Sequence, residues 1–271
     1  MRIALGLEYD GHGYAGWQSQ PEGNTLQDAL EAALAIIAGE PLRVTCAGRT
    51  DAGVHAVGQV VHFDVAAQRP LSAWVRGVNS HLPTGMAVRW ARAVSDRFHA
   101  RNCARARRYR YLLLNRPQRP GLLAGRVGWF HQPLDVQVMQ QAGRCLIGEH
   151  DFSAFRAAEC QARSPVKIMH QVSIARQGEC IVFDFCANAF LHHMVRNLVG
   201  ALVFVGKGRR PVEWLAELLA SGDRTQGAPT FAASGLYFVG PEYDPVWELP
   251  LPEGLGNCAQ GFAGHDRRSI G

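Results

Sequence analysis

The sequence predicts a mixed α+β (α/β) fold organised as two similar halves, residues 1–105 and 106–247, followed by a tail over 248–271. Three observations lead there. Stretches of period-two alternation recur in both parts of the chain. Each part also carries about two segments of helical periodicity, the pattern of helices layered on sheets. The order of elements is similar in the two parts, although no exact sequence repeat occurs.

Taken in order, IALGLEY (3–9) reads as a strand. Residues 24–38 read as a helix, because Leu26, Ala29, Leu30, Ala33, Leu34 and Ile37 recur at helical spacing. Asn24 or Thr25 can cap it, and Gly39 with Pro41 ends it. LRVTCA (42–47) and QVVHFDV (59–65) read as strands, 71–79 as a helix and MAVRWARAV (86–94) as a returning strand. RRYRYLLLN (107–115) is a strand with Tyr109, Tyr111 and Leu113 on one face and Arg108, Arg110 and Leu112 on the other. RPQRPG (116–121) breaks the chain, and Asp135 can cap a helix running to about 147. QVSIAR and ECIVFDF (171–185) flank Gln177-Gly178 as a hairpin. Residues 191–206 read as a long apolar helix, and Pro211 opens another through Leu219. GLYFVG (235–240) is the last strand, and the Gly- and Pro-rich tail is expected to be flexible.

Composition narrows the function classes. Hydrophobic content of 47% with 19% charged residues suits a globular protein. No apolar run approaches the length of a membrane span. Glu8 and Asp10 interrupt the place where a secretory signal would continue, so a cytoplasmic location is expected. Seven scattered cysteines with no C-x-x-C argue against a disulfide framework or a zinc ribbon. The net charge of +5 permits a polyanionic partner without demanding one. Its distribution is more telling: RFHARNCARARRYR (97–110) holds six arginines and no acid. Guanidinium groups interleaved with tyrosines suit phosphates and bases together. The plainer alternative is a solvated arginine face.

GHGYAG (11–16) follows a strand and matches a dinucleotide-binding glycine pattern. That fingerprint needs a helix starting inside the glycines, whereas Pro21 and Gly23 intervene here, so no nucleotide cofactor is expected. His192-His193 invites a metal. Adjacent residues of the expected helix point to different sides and no Glu or His follows at i+3 or i+4, so a structural or RNA-facing role is assigned and no metal. Asp51, in GRTDAGVHA, is the only acid between Glu40 and Asp64. It can close an Asx-turn before Ala52-Gly53, or it can be a catalytic carboxylate, which a nearby arginine would keep ionised. Arg49 is local but need not face it. Arg196 lies amid Met194, Leu198 and Val199; pointing inward it needs an acid, and otherwise it snorkels outward.

Six blocks occur in order: YDGHGYAGWQ (9–18), AGRTDAGVHA (47–56), FHAR (98–101), ARRYRYLLLN (106–115), NAFLHHMVRNLVG (188–200) and GLYFV (235–239). Together, over about residues 3–245, they resemble the tRNA pseudouridine synthase A family of the pseudouridine synthase superfamily. The resemblance implies a fold of two similar halves, with a long, mainly antiparallel sheet flanked by helices and a central catalytic cleft. It implies isomerisation of uridine to pseudouridine at positions 38, 39 and 40 of the tRNA anticodon stem-loop, without metal, nucleotide or other cofactor. Asp51 becomes the catalytic residue and Arg196 its ion-pair partner. Tyr109 would stack on the flipped base and help remove the C5 proton, its alternative being an ordinary core aromatic. Arg49 would help hold the base out of the helix, and Leu236 would pack against it or the pocket. Arg101, Arg107, Arg108 and Arg110 could meet the RNA backbone. The family acts as a homodimer.

The chemistry fits these residue types. Flipping a uridine costs a few kcal/mol in unstacking and unpairing, which contacts to the backbone can offset. An ionised Asp51 could then attack C1′ or remove the 2′ proton. Two rivals remain at this level: a non-catalytic RNA-binding protein, which leaves the Asp51 block unexplained, and a small-molecule hydrolase, which leaves the arginine cluster without a purpose.

Overall fold

The computed structural model describes residues 1–250; of the tail 248–271, expected to be flexible, residues 251–271 lie outside the described residues. Of its first residues, Leu249 packs against the core. β1 (Arg2–Tyr9) opens the fold, followed by α1 (Leu26–Ala38). The helical period of α1 buries Leu26, Leu30, Ala33 and Leu34. The Thr25 hydroxyl accepts the Asp28 N–H at 3.2 Å, and Gly39, at φ 79°, takes the left-handed turn that ends the helix. β2 is only Thr45–Cys46, shorter than the expected strand because the Val44 N–H goes to Glu31 Oε1 at 3.0 Å rather than to a neighbouring strand. β3 (His55–Asp64) begins four residues earlier than its alternation suggests. The helix over 71–79 forms, with a π-helical centre at Ala73–Gly77, and β4 (Met86–Val94) has the expected bounds.

β5 (Ala104–Asn115) and β6 (Gly128–Phe130) lead to α2 (Val136–Gly143), where Asp135 accepts the Val138 N–H at 3.0 Å. After β7 (Gly148–Asp151), the hairpin of β8 (Val166–Gln177) and β9 (Cys180–Ala187) closes through Gly178 at φ 59°. α3 (Met194–Gly206) starts three residues later than expected, and α4 (Trp214–Ser221) follows a turn in which Trp214 N–H bonds the Pro211 carbonyl. β10 (Leu236–Tyr243) is the last strand.

The strands form one sheet in the order β4-β1-β3-β10-β5-β9-β8-β7, with β2 added to β3 and β6 to β5. Pairing is mainly antiparallel. The exceptions are β5 with β6, and β3 with β10, where Tyr237 lies opposite His55 and Phe238 opposite Ala56. The last strand therefore joins β3 of the first half to β5 of the second. Because β3 and β10 run in the same direction, the segments leading into them, 47–54 and 227–235, leave the sheet side by side.

One large core unites Ile3 and Leu5 of β1, Leu30 of α1, Phe183 and Phe185 of β9 and Leu198 and Leu202 of α3. A smaller cluster of Leu112, Leu114, Val127 and Val182 covers the reverse face. Among the described residues, no helix is long and apolar enough to cross a membrane.

Candidate active site

The glycine-rich segment that imitates a dinucleotide loop is a saddle for the Asp51 loop. A Cβ on Gly11 would lie 2.0 Å from the Val54 carbonyl oxygen, and one on Gly16, at φ 102°, 2.9 Å from that of Thr50. Only glycine admits backbone so close. The saddle then holds the loop: Trp17 N–H donates to the Thr50 carbonyl at 2.9 Å, and the Tyr9 and Thr50 hydroxyls bond at 2.8 Å. Gln59 Nε2 donates to the Gly48 carbonyl at 2.7 Å. His55, buried, accepts the Gly11 N–H at 3.1 Å and reaches the Ser234 carbonyl at 3.2 Å with its other nitrogen. The Asp51 carbonyl closes the turn with Val54 N–H, and Gly53 sits at φ 75°. The turn is thus closed by the Asp51 carbonyl and not by its side chain as in an Asx-turn, which leaves the carboxylate oxygens to other partners.

The Asp51 side chain, 22% exposed, faces three cationic or titratable groups from the other half of the chain. Arg196 Nη1 donates to Asp51 Oδ2 at 3.3 Å, and its Nε donates to the Phe231 carbonyl at 2.8 Å, so the guanidinium points inward. His192 Nε2 lies 3.3 Å from Asp51 Oδ1 and His193 Nε2 3.5 Å from Oδ2. The helical argument against a shared role for the two histidines is overturned. They precede α3, His193 adopts φ 61°, and their rings lie 4.0 Å apart, both turned to the same carboxylate. His is among the residues that tolerate this left-handed conformation. Burial pulls the His193 imidazole below its ordinary pKa; Asp51 opposes this, while Arg196 and His192 reinforce it. The ligand atoms of Asp51, His192 and His193 all fall within 4.8 Å of one another, close enough to share a metal ion, although Arg196 beside the carboxylate opposes one.

Tyr109, 9% exposed, comes from β5. Its ring packs between Phe190 and Phe238, with centroids 5.0 and 5.1 Å away, and its hydroxyl lies against Gly48. Burial, and then the Asp51 charge, push the phenol pKa upward, which holds it neutral. Leu236, buried, sits opposite Tyr111 on the face that carries Phe238. Neither phenylalanine is singled out by sequence reasoning; Phe238 could have been found from the alternation of GLYFV.

The arginines divide. Arg49 and Arg101 are exposed; Arg49 lies in the Asp51 loop, and the Arg101 carbonyl shares the Arg107 guanidinium with that of Ala47 at the start of this loop. Arg107, on the same strand face as Tyr109, donates to the carbonyls of Ala47, Arg101, Ala104 and Asn188. It ties the Asp51 loop to the segment leading to His192. Arg108 and Arg110 point to the reverse face. Arg108 pairs with Glu242, and Arg110 grips both Asp184 oxygens at 2.7 and 3.0 Å. The strand alternation that brings Tyr109 to the site turns these two to the opposite face of the sheet.

A family model described as tRNA pseudouridine synthase matches residues 7–101 and 142–244. The chain belongs to this family. As a member it is an isomerase acting on uridine in tRNA. It is 65% identical over 252 residues to tRNA pseudouridine synthase A of Dechloromonas aromatica (strain RCB), covering 93% of this chain and 96% of that one. It is 64% identical to the protein of the same name from Aromatoleum aromaticum (strain DSM 19018 / LMG 30748 / EbN1), covering 92% and 95%. Among solved structures, the archaeal box H/ACA sRNP Nop10-Cbf5 complex aligns over 90% of this chain and 49% of that chain, at TM-score 0.38 and 10% identity, too distant to carry argument. In this pseudouridine synthase, the family model leaves out 102–141, the stretch that supplies Tyr109.

Proposed function

We propose that the protein isomerises uridine to pseudouridine at positions 38, 39 and 40 of the tRNA anticodon stem-loop, with Asp51 as the catalytic carboxylate. The observation that carries this is the Asp51–Arg196 pair. It joins residues 145 positions apart and holds a partly exposed carboxylate beside a buried aromatic. Arg196 would hold the carboxylate in place for either attack at C1′ or removal of the 2′ proton. Arg49 and Arg101, exposed on the same side, would receive the RNA and help keep the uridine out of its stack. Tyr109 would meet the flipped base with its ring; a phenol held neutral by burial and by Asp51 favours stacking over proton abstraction at C5. Leu236 would line the pocket beneath. The halves 1–105 and 106–247 would form the two walls of the cleft, and the chain would work as a cytoplasmic homodimer that needs no cofactor.

The test is tritium release from tRNA carrying [5-³H]uridine, with chelator present and Asp51→Asn alongside. Wild type is expected to release tritium with no added cofactor, and the variant to bind tRNA without releasing it. A folded, tRNA-binding wild type that releases none would leave the non-catalytic RNA-binding alternative in its place.

A further inference from the structure

A second polar cavity, of about 510 Å³, adjoins the site on the far side of His193. Its lining includes Arg156, Glu159, His193, Asn197, Arg224 and Thr230. Asn197, 2% exposed, organises it. Its Nδ2 donates to the Phe155 carbonyl at 2.8 Å, while its Oδ1 accepts from Arg224 Nη2 at 3.1 Å and from the Thr230 hydroxyl at 2.7 Å. The wall at 228–230 is pressed onto α3 at Gly200, where a Cβ would lie 2.4 Å from the Pro229 carbonyl oxygen. The cavity is therefore built on packed backbone.

Its two guanidinium groups are half-buried; Arg224 is paired only with neutral oxygens, and Arg156 with carbonyl oxygens and the Cys160 thiol. Arg224 bonds Asn197 and Thr230 through Nη2, and Arg156 bonds the Cys160 and Ala162 carbonyls through Nη2. Among the described residues neither has a carboxylate within ion-pair distance, and the bonds of Arg224 all run through Nη2. A half-buried charge without a counter-ion is expensive, and burial lowers the Arg224 pKa with nothing opposing it. Glu159 is the only acid in the lining, and it is exposed. The lining has no Phe, Tyr or Trp on which a base could stack.

We propose that this cavity binds a phosphodiester of the RNA strand that carries the target uridine, immediately beside the flipped nucleotide. This rests on the function proposed above. The planar guanidinium fork matches phosphate oxygens. His193, shared by both sites, places that phosphate next to the ribose on which Asp51 acts. Anchoring it would fix the strand on one side of the nucleotide while the base leaves the stack.

The test is tRNA affinity against salt concentration for the full chain, comparing wild type with Arg224→Gln, Arg156→Gln and the reverse-face control Arg110→Gln, each checked by thermal unfolding. Each cavity variant is expected to bind several-fold more weakly and to lose roughly 0.7–1 from the slope of log affinity against log salt, the loss expected for one phosphate contact. The control should keep the wild-type slope. Arg224→Lys, which retains the charge, should restore most of that slope. Folded Arg156→Gln and Arg224→Gln proteins with the wild-type slope would overturn the proposal. So would a cavity that binds inorganic phosphate, measured by calorimetry, yet leaves tRNA affinity untouched when mutated. Tritium release reads the function separately: its absence in wild type would refute the isomerase assignment of this substrate while the salt slopes still report on the cavity.

Discussion

Replacing Arg196 by Met tests the electrostatic logic of the site most directly. At 3.3 Å, a unit charge pair interacts by about 5 kcal/mol at an effective dielectric constant near 20. The two side chains are 16% and 22% exposed, so solvent screens part of this. His192 and His193 also face the carboxylate and retain part of its support. A net loss of about 3–4 kcal/mol in transition-state stabilisation corresponds to a rate roughly 10²–10³-fold lower. Single-turnover tritium release at saturating tRNA is the assay, with tRNA affinity and thermal unfolding measured in parallel. The rate should fall while affinity changes only a few-fold. Arg196→Lys should recover part of the rate, since it restores a charge but not the Nε bond to the Phe231 carbonyl. A folded Arg196→Met protein within fivefold of the wild-type rate would refute the claim that this ion pair sustains the working carboxylate.

Gly11→Ala drives a methyl group to 2.0 Å from the Val54 carbonyl oxygen; overpacking of about 1–3 kcal/mol is expected, read as a lowered melting temperature together with slower turnover, and an unchanged protein would remove the saddle from the account. Burial pushes the His62 imidazole down to about 4. The unfolded chain binds a proton near pH 6.5 and the folded one does not, so stability from this group is intact above that pH and is lost as the pH falls toward 4. Urea denaturation at pH 7.5 and 5.0 should show a loss of about 1–2 kcal/mol from this residue that His62→Gln diminishes. Zn²⁺ should inhibit by capturing Asp51, His192 and His193 together, with activity restored by chelator and inhibition weakened in His192→Ala; inhibition unaltered by that change would place the metal elsewhere.

The strands and helices with strong periodicity were legible in the sequence because their local pattern and their burial agree. α1, β4 and the β8–β9 hairpin are examples, with capping and turn residues where the chemistry requires them. β2 is shorter than its sequence suggests because a side chain, Glu31, competes for the backbone before it, a long-range event that the local strand pattern does not contain. α3 begins late because His193 takes a left-handed conformation, which local composition does not announce. The same residue defeated the sequence argument about the histidine pair. Asp51 and Arg196 stand out by local oddity, but Tyr109 and the juxtaposition of all three are available only through the family resemblance. The fate of Arg108 and Arg110 was half-written in the strand alternation. Their carboxylate partners were not, because Asp184 and Glu242 come from other strands.

The parallel junction of β3 and β10 explains why the site needs the entire chain. An antiparallel junction would send the segments preceding the two strands to opposite ends of the sheet. Here both emerge together, so the Asp51 loop meets Phe231, whose carbonyl positions Arg196, and Ser234, whose carbonyl meets His55. Arg107 adds a third tie, from the Ala47 carbonyl to that of Asn188. The Asp51 loop and the side chains that meet its carboxylate are thus held by carbonyls from two other stretches of sequence, 227–235 and the segment at Asn188. Such an arrangement favours a catalytic group that must stay fixed while a bulky, flexible substrate rearranges against it. Gly11, Gly16 and Gly200 belong to the same design. They let backbone pack on backbone at the places where a side chain would hold the walls of the site apart.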